Sequence, residues 1–172
     1  MLKYVFLFIA VTGIGIMPTA VLGAEAPEAT TELSSKYISI PAGYLMVLRK
    51  GDDVMAYLKQ LALEERIESA SISGLGFVNV TFGYWDAAQK TYQAKSFNSM
   101  ELASLTGSIA WEKNQPSIHA HGVAADKEFN TYGGHILELQ VDNGSVEITV
   151  IVHPQRLERA KDKTIDANVL VL

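Results

Sequence analysis

Apolar and polar positions change rhythm twice along this chain. From Lys36, "YISIPAGYLMVLRK" has a turn at Pro41–Gly43 and then a β-rich apolar run from Tyr44 to Leu48. In "GDDVMAYLKQLALEERIESA" the rhythm becomes helical, with Val54, Leu58, Leu61 and Ile67 at helical spacing and Asp52 or Asp53 placed to cap the start. The acidic opening also suits the helix dipole. Everything afterwards alternates with the period of a strand. "SASISGLGFVNVTFGYW" and "TYQAKSF" form a hairpin about the turn "DAAQK". "MELASLTGSIAW" follows, with a bend expected at Gly107. "SIHAHGVAA", "GGHILELQV" and "SVEITVIVH" complete the series, with Asp142–Gly144 as the turn between the last two. The tail "DANVLVL" is an edge strand or docks on the core. One helix among short antiparallel strands predicts an α+β domain.

Ahead of this domain the pattern is different. Lys3 is followed by an apolar run from Tyr4 to Met17, the helix breaker Pro18 and small residues. That is the layout of a secretory signal peptide over residues 1–24, cut after Gly23 or Ala24. The run is about 14 residues, short of the roughly 20 of a membrane-spanning helix, so cleavage is expected to leave no stable membrane span. Residues 25–36, opening "EAPEATTELSS", predict a flexible lead, and the folded domain is expected over 37–172. The expected destination is the periplasm or the exterior.

Composition narrows the chemistry. Hydrophobic residues are 48% and charged residues 19% of 172, enough apolar material for a real core. The formal net charge of −5 argues against a nucleic-acid footprint, which needs clustered Lys and Arg. With no cysteine, disulfides, thiolate metal sites and cysteine nucleophiles are excluded.

Three of the four histidines fall within "SIHAHGVAADKEFNTYGGHILEL". His119 and His121 alternate onto one strand face. His135 opens the next strand, on a face expected to carry Leu137, Leu139 and Val141, with Gly133 and Gly134 allowing a tight turn before it. If the two strands pair, three imidazoles converge as in three-histidine zinc sites with an open fourth position, though other imidazole-accepting divalent metals fit too. Two exposed histidines and a coincidental third would give the same spacing. His153, before Pro154, is expected to be a solvent-facing non-ligand.

The ordered set "GDDV", "SASISGLGFVNVTFGYWD", "KTYQAKSFNSMELASLTGSIA", "IHAH" and "YGGHILE" resembles the PPC (plants and prokaryotes conserved) domain family, over roughly Tyr37 to Pro154. The resemblance implies a curved, mostly antiparallel sheet of about six to eight strands with one main helix, and a homotrimer. It further implies a divalent metal, zinc first, on His119, His121 and His135. Glu101 matches a recurrent family position, as a partner of a metal-bound histidine or as a surface or trimer-contact carboxylate. Arg49 also matches and is expected to form a salt bridge near the helix start. The family's DNA-binding label fits this chain poorly, because there is no Arg-Gly-Arg-Pro segment and the chain is acidic.

The leading expectation is an exported metal-binding module for a small molecule or a protein. A metal-dependent enzyme with Glu101 or Asp126 as acid/base is the second reading, and DNA binding the third. "RLERAKDK", with Arg156, Arg159, Lys161 and Lys163, is expected to be a mixed-charge solvated face. The aromatics Phe77, Phe82, Tyr84, Trp85, Tyr92 and Phe97 are assigned to packing or subunit contact.

Overall fold

A computed structural model describes residues 33–172. The expected signal peptide and most of the expected flexible lead therefore lie outside the described residues. The end of that lead is not loose. Leu33 is fully buried, and Lys36 pairs with Asp52 at 2.9 Å, so packing starts ahead of residue 37.

Eight strands and one helix follow: β1 (Tyr37–Ile40), β2 (Gly43–Arg49), α1 (Val54–Glu64), β3 (Ser69–Asp86), β4 (Thr91–Glu112), β5 (Gln115–Ala125), β6 (Thr131–His153), β7 (Glu158–Asp162) and β8 (Ala167–Val171). Asp53 caps α1, its carboxylate accepting from the Ala56 N–H at 3.0 Å. The two aspartates precede the helix, and its first turn carries no acidic side chain. Val54, Leu58, Leu61 and Ala62 form the buried stripe. Asp52 takes the ion pair expected of Arg49: it binds Lys36, while Arg49 contributes only its backbone N–H, at 2.7 Å.

Pairing is antiparallel except for a single parallel bridge between Trp111 of β4 and Glu158 of β7. β3 pairs with β4 and β6, and β5 pairs with the same two strands, so β3, β4, β5 and β6 close a ring. Met46, Leu48, Val78, Val80, Leu105, Ile109, Leu139 and Ile148 are among the buried side chains of the core, with α1 packed against it.

Two long strands, β4 and β6, each replace two shorter ones read from the sequence. Asp142–Gly144 is not a turn. It is an irregularity inside β6, where Val141 pairs with Val78 and Val146 with Gly76. Gly144 has φ +110°, a conformation suited to glycine. β6 continues through it because both halves find partners on either side. β4 is irregular at Ser99, where φ is 52° and the N–H donates to Asn79 Oδ1 at 2.9 Å, while Gly107, the expected bend, pairs regularly with Ile72 and Ala120. Gly107 instead permits close approach of β4 and β5: a Cβ there would meet the His119 carbonyl oxygen at 2.3 Å.

Candidate metal centre

The β5–β6 hairpin places His121 directly opposite His135, and His119 lies two residues from His121 on the same face. Ring centroids are 5.1–5.2 Å apart for all three pairs. One nitrogen from each ring lies within 4.8 Å of the other two, and the group contains three imidazoles and no carboxylate. A tetrahedral ion with bonds of about 2.0–2.1 Å would need these atoms roughly 3.4 Å apart. Small side-chain rotations close that difference, so the donor set fits a divalent ion that accepts imidazole.

The convergence arises from pairing rather than from a turn at the glycines. Gly133 and Gly134 lie within β6, opposite Val123 and Gly122, and the chain reverses at Asp126–Asn130. Gly133 still matters, since a Cβ would meet the Gly122 carbonyl oxygen at 2.7 Å. His135 does not share a face with Leu139 and Val141. A bulge leaves Leu137 unmatched between the Phe82–Ile136 and Thr81–Glu138 pairs. Ile136, Leu139 and Val141 therefore all turn to the core, and His135 turns out.

One neighbour of the cluster is invisible to spacing. Tyr92 stacks on His135 with centroids 4.7 Å apart and planes at 15°, and Trp85 meets Tyr92 edge-on at 5.1 Å. Gly83, the cross-strand partner of His135, makes room for it: a Cβ would sit 2.8 Å from Tyr92 Cδ1. Partial burial, followed by the fields of His119 and His121, pushes the His135 imidazole down to about 4. Burial also lowers His119, helped by the positive charge of Arg159 and by His121. Both rings are thus held neutral at neutral pH, the form that ligates metal.

Other sequence candidates fall elsewhere. Glu101 is exposed on β4, opposite Ala125 and four residues along β5 from His121, and among the described residues it makes no hydrogen bond to an imidazole. Asp126 organises the β5–β6 loop, accepting from the N–H groups of Glu128 at 3.0 Å and Asn130 at 2.9 Å. His153, at the far end of β6, meets Ser71 Oγ at 2.9 Å and stands outside the cluster. A hollow of about 450 Å³ is lined by Trp85, Lys90, Lys163 and Asp166, and none of the three imidazoles lines it. Arg159, assigned from sequence to a solvated face, is buried. Its Nη2 donates to Ser108 Oγ at 2.6 Å, and Ser108 is the cross-strand partner of His119.

Known proteins share this arrangement of elements. A candidate DNA-binding protein from Ralstonia eutropha JMP134 is 53% identical, with a TM-score of 0.80 over 82% of this chain and 99% of that one. A metal-containing protein from Archaeoglobus fulgidus is 25% identical, with a TM-score of 0.67 over 74% of this chain and 91% of that one. An α-acetolactate decarboxylase from Brevibacillus brevis is 35% identical across 63 residues, which are 37% of this chain and 21% of the enzyme. The chain thus matches about a fifth of that enzyme's length. The Plants and Prokaryotes Conserved (PCC) domain model matches residues 35–154, most of the folded region and all of the histidine hairpin, and the chain belongs to that family.

Proposed function

We propose that this chain is an exported PCC-domain protein that holds a divalent metal ion, zinc in the first instance, on His119, His121 and His135. The observation that carries this reading is three imidazole nitrogens within 4.8 Å on one paired hairpin, without a competing thiolate. The Archaeoglobus relative described as metal-containing supports it. Three protein ligands leave an ion one coordination position for a small molecule or for a group from a partner protein. Isothermal titration of metal-stripped protein with Zn²⁺ tests the reading, and one ion per chain is the expected stoichiometry. An absence of saturable uptake would refute it.

A homotrimer is part of the proposal. Exposed apolar side chains, with Tyr84 at 76% and Phe129 at 85%, are surfaces that assembly would cover. Light scattering should return three times the chain mass, and a strict monomer would exclude assembly. Export rests on the layout of residues 1–24. N-terminal sequencing of protein from the cell envelope should begin near Ala24 or Glu25.

A second reading is catalytic. A metal ion bound by three histidines polarises a carbonyl or lowers the pKa of bound water, and the short match to α-acetolactate decarboxylase favours a small-molecule substrate. Carbon dioxide release from acetolactate by zinc-loaded protein, lost in His121→Ala, would support it. No release above the metal-free control would reject that substrate.

A further inference from the structure

Arg159 has an environment unlike those of its basic neighbours in "RLERAKDK". Arg156 is paired with Glu158 and Glu68, and Lys161 with Asp166, all in contact with solvent. Arg159 is only 8% exposed and takes part in no ion pair among the described residues. Its Nη2 is bonded to Ser108 Oγ, and its buried Nε has no partner. Glu112, the carboxylate whose field reaches it, accepts instead from Asn168 Nδ2 at 3.1 Å. A cation taken out of water without a counter-ion is costly, and native structures rarely leave one without a reason.

The position of the guanidinium supplies that reason. Ser108 and His119 are direct cross-strand partners on one face, so their Cβ atoms lie about 5 Å apart. The guanidinium bonded to Ser108 is therefore about one side chain from the imidazole cluster. A site built only to hold a divalent cation gains nothing from a second fixed positive charge beside it, because the two repel. An anion lying between them relieves both charges.

We propose that Arg159, together with a metal on His119, His121 and His135, forms a receptor for small carboxylate-bearing molecules. One carboxylate oxygen faces the open metal position, and Arg159 provides the counter-charge through its guanidinium, held in place by Ser108. This rests on the metal reading above. A guanidinium suits a carboxylate because its planar array of donors matches two coplanar oxygens. The short span between the two charges suits one such group.

The test uses Co²⁺-loaded full domain, with acetate as the probe and the visible ligand-field spectrum as the readout. Wild type should show a saturable spectral change. Arg159→Met should weaken acetate binding at least about tenfold while binding Co²⁺ as tightly as wild type or tighter, since a repelling charge is gone. Arg159→Lys, which keeps the charge, should lie between, and it also serves if Arg159→Met fails to fold. Equal acetate affinity in wild type and both variants would overturn the proposal, as would no response to acetate in Co²⁺-loaded wild type. A smaller oligomer in Arg159→Met with an intact acetate response would overturn it too, assigning the guanidinium to a carboxylate of a second copy. If Co²⁺ does not bind, the metal reading fails separately. Acetate-induced shifts of the histidine ring protons in metal-free protein then decide: loss in Arg159→Met upholds the anion role, and their absence from wild type ends it.

Discussion

Tyr92 lies almost flat on His135, with centroids 4.7 Å apart and planes at 15°, across the bare backbone of Gly83. The ring fixes one face of the imidazole, as a hydrogen-bonding partner would fix its edge in many metal sites. Gly83→Ala places a methyl 2.8 Å from Tyr92 Cδ1 and 3.0 Å from Leu137 Cδ1, so the Tyr92 ring must shift and the stack is disturbed. Zn²⁺ affinity should fall by about tenfold, within the range seen on losing a supporting partner, and Tyr92→Leu should fall similarly. Unchanged titration curves for both variants would mean that the stack does not orient the ligand.

Each of His119→Ala, His121→Ala and His135→Ala should lower Zn²⁺ affinity by about a hundredfold or more, since two imidazoles hold the ion poorly. His153→Ala should leave it unchanged, because that ring is engaged with Ser71 outside the cluster. Calorimetric titration of the four variants separates the outcomes. Equal affinity in wild type and His121→Ala would reduce the hairpin to a coincidence of spacing.

Metal-free protein should lose stability as it is acidified, through protonation of His135. His135 is depressed to about 4 in the fold, against about 6.5 in the unfolded chain. Between those values the unfolded state binds more protons, so stability rises with pH there. The His135 contribution is complete above about pH 6.5 and lost as pH falls toward 4. Thermal unfolding from pH 7 to pH 4 should show a falling Tm, with a shallower slope in His135→Gln. Parallel slopes would contradict the assignment.

Trp111 donates its indole N–H to the Ile67 carbonyl at 3.0 Å in a buried setting. Trp111→Phe leaves that carbonyl without its partner and should cost about 1–3 kcal/mol in denaturant unfolding. It removes no ligand, so metal affinity per folded molecule should be unchanged. A loss of affinity without loss of stability would reverse this assignment.

Duplex DNA should bind weakly at physiological salt, despite the description carried by the Ralstonia relative. The chain has a net charge of −5, and affinity for phosphates scales with the cations that neutralise them. Submicromolar, salt-sensitive binding in an anisotropy titration would contradict this.

The sequence displays what local pattern controls. Period two along "IHAH" puts two imidazoles on one face, helical spacing marks α1, and Asp53 marks its start. It hides what depends on neighbours. "DNG" has the composition of a hairpin turn, yet it is absorbed into β6 because strands on both sides continue the ladder. The bulge at Leu137 reverses the face expected for His135, since an unmatched residue changes parity without changing the alternating letters. Arg159 lies in a run of mixed charge that resembles any solvated surface. Only the pairing of β7 with β4 and the bond to Ser108 show it turned inward. The stack of Tyr92 on His135 joins residues 43 positions apart in the chain and leaves no mark on either local pattern.

Closure of the four-strand ring by β5 sets where this protein tolerates change in length. β5 is held by β4 on one side and β6 on the other, so a single inserted or deleted residue would break two ladders and turn His119 and His121 toward the core. The Asp126–Asn130 reversal has no such constraint. Its closure cost grows only slowly with length, by about 0.6 kcal/mol for each doubling. Natural or engineered variety should therefore collect in that loop, which can be extended, replaced or used to carry a new segment while the three imidazoles keep their register.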